Sequence, residues 1–130
     1  MVRRRSKKAI IYLKSGVYNE KVEIGRKMKN LMFVDDGIDK TIITGSRNVV
    51  DGATSLSSAT FGVSSDGFWA KDMTFENTAG PPKQQAVALR LSSDLAVFYR
   101  CSFKGYQDTL FVSTSYLVMP RLFSKTVTFM

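Results

Sequence analysis

Phe68-Trp69-Ala70-Lys71-Asp72-Met73-Thr74-Phe75-Glu76-Asn77 can be laid over Ala96-Val97-Phe98-Tyr99-Arg100-Cys101-Ser102-Phe103-Lys104-Gly105 at an offset of 28 residues. Each unit opens on apolar residues, passes through a polar pair, and places a Phe two positions beyond a Met or Cys. A further strand-like unit, Gln85-Ala86-Val87-Ala88-Leu89-Arg90-Leu91, lies between them. Short strands recurring every few tens of residues fit a solenoid, in which each coil stacks on the last. An antiparallel sandwich satisfies the same pattern, so the repeat alone leaves two architectures open. Trp69 and Phe75 are expected in the core of a coil, and Cys101 as a small buried residue. A solenoid coil cannot bury its own apolar face, so a chain ending abruptly would leave an open strand edge.

Outward from the repeat, the dominant period remains two. Ile10-Ile11-Tyr12-Leu13 runs to a turn at Ser15-Gly16, followed by Val22 and Ile24 in alternation. Leu31-Met32-Phe33-Val34 then leads to a turn at Asp35-Asp36-Gly37 and on to Thr41-Ile42-Ile43-Thr44-Gly45. β-branched and aromatic runs bounded by Gly and Asp read as strands. No long stretch carries apolar residues at helical spacing, so little helix is expected. Asp35-Asp36-Gly37 looks like half a calcium loop, but the remaining ligands of that pattern are missing.

The chain has 130 residues, 44% of them hydrophobic and 12% aromatic, enough for one domain with a real core. No apolar run approaches the ~20 residues of a membrane span. The net charge is +8, and five of the nineteen Lys and Arg fall within the first eight residues, a basic arm. That arm has the charge of a signal-peptide n-region, yet Ala9–Lys14 is too short and too alternating for the apolar segment that should follow. Positive charge admits a polyanion partner, either nucleic acid or an acidic polysaccharide. The aromatics sit in alternating strand contexts that suit a core better than a stacking platform, so nucleic acid is not expected. The single Cys101 excludes an internal disulfide. With no His in the chain, a Ser-His or Cys-His triad is excluded and hydrolysis must run on carboxylates, amides and hydroxyls.

Three segments carry the chemistry. They are Thr44-Gly45-Ser46-Arg47-Asn48-Val49-Val50-Asp51-Gly52 with Thr54-Ser55, then Asn77-Thr78-Ala79-Gly80 with Gln84-Gln85-Ala86-Val87-Ala88-Leu89-Arg90, and finally Tyr106-Gln107-Asp108-Thr109-Leu110-Phe111. In this order and spacing, with Gly16-Val17-Tyr18-Asn19-Glu20 upstream, they resemble the pectin methylesterases, above all the plant enzymes. The resemblance runs from about Ala9 to about Ser113. It implies a right-handed parallel β-helix over residues 9–113, incomplete at its C-terminal end, preceded by the basic arm 1–8 and followed by a divergent tail 114–130. It also implies methyl-esterified galacturonan as substrate, methanol and a free carboxylate as products, no metal or other cofactor, and the plant cell wall as location. A proteinaceous pectinesterase inhibitor is a candidate partner, and no membrane is expected.

By the same resemblance Asp108 matches the general acid/base, which protonates the leaving methanol and later takes a proton from water. That role requires a carboxyl pKa raised by burial or a neighbouring carboxylate. Gln85 and Gln107 match the amides that donate hydrogen bonds to the tetrahedral oxyanion without carrying titratable charge. Ser55 stands where a substrate-contacting Thr is usual, and Phe111 where a Tyr is common.

The family nucleophile is an aspartate about twenty residues beyond the acid/base, steadied by a later arginine. After Asp108 this chain has no Asp or Glu, and with a one-residue gap Thr128 falls at the nucleophile position. A threonine hydroxyl without a base is a poor nucleophile. The expectation is an esterase by family whose activity in this chain is doubtful, either as a piece of a longer gene product or as a short form that has lost catalysis. The alternative is a non-catalytic pectin-binding or interaction fragment.

Overall fold

The computed structural model describes residues 9–35, 40–48, 50–53, 57–83, 86–93, 95–105, 110–112, 116–118, 123–124 and 127–129. These form fifteen short strands and one 3-10 turn at Pro81–Lys83. The strands fall into successive triplets, each triplet one coil. The first coil is β1 (Ala9–Leu13), β2 (Gly16–Asn19) and β3 (Val22–Ile24), and the second is β4 (Leu31–Asp35), β5 (Thr41–Gly45) and β6 (Phe61–Val63). The third is β7 (Phe68–Lys71), β8 (Thr74–Asn77) and β9 (Leu89–Leu91). The fourth is β10 (Leu95–Tyr99), β11 (Ser102–Lys104) and β12 (Leu110–Val112). The fifth is β13 (Tyr116–Val118), β14 (Phe123–Ser124) and β15 (Val127–Phe129).

Like strands of successive coils pair in parallel, giving three five-stranded sheets: A (β1-β4-β7-β10-β13), B (β2-β5-β8-β11-β14) and C (β3-β6-β9-β12-β15). The solenoid reading therefore holds and the antiparallel sandwich does not. The 28-residue repeat is the register itself, since Ala96 pairs with Phe68, Tyr99 with Lys71, Ser102 with Thr74 and Lys104 with Glu76. The unit expected over Gln85–Leu91 is a strand only at Leu89–Leu91 among its described residues. Ahead of β9 the backbone bonds less regularly: Val87 donates its N–H to Ser58 Oγ, and Thr60 donates to the Val87 carbonyl.

Alternation decides which side chains enter the prism. Phe33, Phe61, Phe68, Phe75, Phe98 and Phe103 point inward and interlock through adjacent coils. Phe75 stacks on Phe103 at 5.4 Å with the rings 11° apart, and meets Phe61 edge-on at 4.9 Å. Such aromatic pairs each contribute about 0.5–1.5 kcal/mol beyond the area they bury. Phe75 is in the core as expected, but Trp69 is not: it is half-buried, paired in register with Met32 and Val97. The cause is the pleat. Phe68 and Ala70 take the inward positions of β7 and turn Trp69 to the outer face.

The corner between sheets A and B repeats as faithfully as the strands. Asp72 (φ 60°) and Arg100 (φ 53°) both adopt the left-handed conformation, uncommon for residues other than glycine. They hold it through an ion pair of Arg100 Nε with Asp72 Oδ1 at 2.8 Å, and through the Asp72 N–H donating to the Tyr99 carbonyl at 3.0 Å. Just beyond, Cys101 lies buried at the position stacked on Met73, as expected of a small core residue. Burial pushes its thiol pKa up to about 12, helped by the charges of Asp35 and Asp72 and opposed by the Met73 and Asp72 backbone.

Because the unfolded thiol ionises near 8.5, the unfolded chain loses this proton first as pH rises. Stability contributed by the buried thiol is therefore complete below about pH 8.5 and declines as pH climbs towards 12. The expected outcome is that urea midpoints fall above about pH 9 in the protein but much less in Cys101→Ala. Cys101 should also resist a thiol reagent at pH 8 until the chain is unfolded.

Candidate functional site

The B-to-C edge of the prism gathers the three chemistry-bearing segments. The connection from β5 to β6 contains Ser55, that from β8 to β9 contains Gln84 and Gln85, and that from β11 to β12 contains Gln107 and Asp108. Ser55, Gln84, Gln85, Gln107 and Asp108 lie outside the described residues, as do the basic arm and the Asp36-Gly37 half of the expected turn. Among the matched site residues Phe111 is described. It is half-buried at the centre of β12, and its strand positions pair it with Arg90 on one side and Thr128 on the other.

What fixes this edge is a residue to which the sequence assigned no role. Asn77 ends β8, is buried, and shares the two protons of its amide nitrogen among three carbonyls: Arg47 at 2.8 Å, Ser58 at 3.2 Å and Val87 at 3.2 Å. Its Oδ1 accepts the Ala79 N–H at 3.0 Å. One carboxamide thus ties both long connections to the strand beneath them. Thr78 donates its N–H to the Gly45 carbonyl at 2.7 Å, and Thr44 Oγ1 donates to Glu76 Oε1 at 2.7 Å, so the ends of β5 and β8 are laced together. Gly45 is needed for close approach, because a Cβ there would sit 2.9 Å from Thr60 Oγ1.

A second polar knot lies further along the β5–β6 connection. Asn48 Oδ1 accepts the Asp51 N–H at 2.8 Å, and Asn48 Nδ2 donates to Asp51 Oδ2 at 2.9 Å and to the Ser46 carbonyl at 3.0 Å. Lys83, from the neighbouring connection, donates to Asp51 Oδ1 at 2.9 Å. The Asn48 hydrogen bond first, and the Lys83 bond second, hold the Asp51 carboxyl below the usual carboxylate range. Around these knots open two adjoining hollows of about 470 and 250 Å³, both lined by Ser46 and Arg47.

The register of sheet C stacks one position from each strand into a ladder of Glu23, Gly62, Arg90, Phe111 and Thr128. Arg90 reaches across β6 to Glu23, Nη2 to Oε1 at 2.6 Å, while its Nη1 meets Ser92 Oγ at 3.2 Å and Ser64 Oγ at 3.4 Å. This pair skips a strand, and only glycine between permits it: a Cβ on Gly62 would fall 2.5 Å from both Arg90 Nη2 and Glu23 Oε1. The guanidinium beside Phe111 is therefore held in one place. Alternation marks Arg90 as outward-facing, but the partnership with Glu23 spans 67 residues and leaves no local sequence signal.

Removing the Asn77 amide strands three carbonyls with a shared donor. Asn77→Ala is expected to destabilise the fold by about 1–3 kcal/mol, read as a lower urea midpoint. Asn77→Asp should cost more, since a carboxylate offers those carbonyls no N–H.

Comparison with known proteins gives one consistent answer. A family profile described as Pectinesterase matches residues 1–125. The chain is 70% identical over 111 residues to the probable pectinesterase/pectinesterase inhibitor 36 of Arabidopsis thaliana, covering 85% of this chain and 21% of that protein. It is 57% identical over 110 residues to pectinesterase 3 of Citrus sinensis, covering 85% and 19%. The chain thus spans about a fifth of the length of these curated relatives. Among solved structures, the carrot pectin methylesterase superposes with a TM-score of 0.90 at 48% identity, over 92% of this chain and 37% of that one. Pectin methylesterase PemA of Erwinia chrysanthemi superposes at 0.76 and 30% identity, over 87% and 39%. Those enzymes are right-handed parallel β-helices, as the stacked parallel sheets here require. The chain belongs to the pectinesterase family.

Proposed function

We propose that these residues form the acid and oxyanion half of a pectin methylesterase site, acting on methyl-esterified galacturonan in the plant cell wall. The observation that carries this reading is the coil register, which strings the connections bearing Ser55, Gln85 and Asp108 along one edge of the prism. An extended polysaccharide lying along that edge would meet them in turn. Asp108 is the general acid, giving its proton to the leaving methanol oxygen as the ester C–O bond breaks, and then the base for the hydrolytic water. Gln85 and Gln107 donate amide N–H groups to the oxyanion, where loss of one such donor costs about 2.7–4 kcal/mol of transition-state stabilisation. Ser55 supplies a hydroxyl to the sugar and Phe111 an apolar face. The Arg90–Glu23 pair and Asn77 act through the scaffold, holding the floor and the connections still. No metal or cofactor enters this scheme, and a proteinaceous inhibitor remains a candidate partner.

Nucleophilic attack is the step these residues do not supply. Thr128 aligns with the family aspartate, and its strand position next to Phe111 is the one a nucleophile beside the substrate would use. A hydroxyl there without a base does not form the covalent intermediate. The 130-residue chain is accordingly a pectin binder rather than a complete esterase. The purified chain should bind highly methylated pectin and release no methanol above a buffer blank. Methanol release that disappears in Asp108→Asn would contradict the missing nucleophile, and absence of any pectin binding would contradict the site.

A further inference from the structure

The two hollows of the β5–β6 connection play no part in the ester chemistry described above, and their composition points to a ligand. The smaller is walled chiefly by Asn19, Lys21, Thr44, Ser46, Arg47 and Thr60, a set dominated by hydroxyls, amides and charge. The larger, about 470 Å³, falls within the range of about 300–1,000 Å³ found for small-molecule sites. Arg47 is common to both and exposed, and its guanidinium enters none of the ion pairs among the described residues. The neighbouring charges are engaged elsewhere. Asp51 is taken by Lys83 and Asn48, and Lys21 by the Ala59 carbonyl at 2.6 Å and Glu23 at 3.2 Å. The backbone beneath Arg47 is fixed on both sides, by Asn77 on its own carbonyl and by the Asn48 knot that follows. A cation on rigid backbone between two hydroxyl-lined hollows is arranged for an anionic sugar.

We infer that Arg47 forms a subsite for an unesterified galacturonate residue of the same polysaccharide, its guanidinium binding the free carboxylate. This rests on the pectin reading above and adds to it a preference for chains that already carry acid groups. The edge fixes where the subsite lies. Arg47 belongs to the second coil and Asp108 to the connection of the fourth, two strand spacings or about 10 Å apart along the prism, roughly two sugar residues from the reacting ester. A carboxylate at that distance is what earlier de-esterification of the same chain produces. The subsite therefore favours continuing a de-esterified block over starting at an untouched stretch.

The test is calorimetric titration of the chain with unesterified and with fully methyl-esterified hexagalacturonate, comparing the native sequence, Arg47→Gln and Arg47→Lys. The native chain is expected to bind the unesterified oligomer more tightly, in a salt-sensitive manner. Arg47→Gln should weaken that binding by about tenfold, leave the methyl-esterified oligomer and the thermal midpoint unchanged, and lose most of the salt dependence. Arg47→Lys should retain most of the affinity for the unesterified oligomer. Equal weakening for both oligomers, or for neither, overturns the subsite. Native binding of the methyl-esterified oligomer without a preference for the acidic one also overturns it while leaving the pectin reading intact. Failure to bind either oligomer removes both.

Discussion

Stacking in register is the constraint on which everything else in this molecule depends. A coil of three short strands has no interior of its own, so its apolar side chains are buried only by the coils on either side. Phe75 illustrates this, touching Phe61 of the coil before and Phe98 and Phe103 of the coil after. Slipping one strand by a single residue would turn its inward Phe to solvent. The corner between sheets A and B fixes the same register electrostatically, where Arg100 sits on Asp72 and both accept left-handed backbone. Core and corner thus specify one alignment independently.

Because the register is rigid, the irregular connections can carry the chemistry. The B-to-C connections are long in the second and third coils, and loops of this kind ordinarily face water. Here they are bound down by a few buried polar groups rather than by apolar packing. Asn77 collects three carbonyls from two connections, Asn48 closes its own loop around Asp51, and Lys83 joins the two connections at the surface. Exposed pairs such as Lys83–Asp51 contribute little alone, whereas a buried, multiply bonded amide is costly to lose. Positional accuracy in the candidate site therefore resides mainly in Asn77. The floor of sheet C follows the same logic, with Gly62 giving up its side chain so that Arg90 can be pinned by Glu23.

Much of this was legible in the sequence, and what was not has a common cause. Overlaying Phe68–Asn77 on Ala96–Gly105 anticipated the pairing residue for residue, because a stacked coil repeats its side-chain requirements at each turn. The buried position of Cys101 followed from the same overlay. Trp69 was misplaced because size and hydrophobicity were weighed above alternation, and the pleat decided otherwise. The roles of Asn77, Arg90 and Gly62 were invisible for a different reason. Asn77 and Arg90 act on residues from 10 to 67 positions away, through connections whose lengths vary from coil to coil, so no period links the partners. The matched site residues were legible only through family motifs, since neither composition nor spacing assigns a role to Asp108 or Gln107.

Parallel stacking at the 28-residue offset can be tested by covalent chemistry at a single corner. Met73 and Cys101 are buried in adjacent coils, one residue ahead of the Thr74–Ser102 pair. Adjacent strands place such Cα atoms about 4.8 Å apart, inside the range a disulfide accepts. Refolding Met73→Cys under oxidising conditions should give a monomer in which the introduced thiol is joined to Cys101 by an intramolecular disulfide, identified by peptide mapping. A folded monomer that keeps both thiols free under those conditions would contradict the stacked register, and with it the edge that aligns the site.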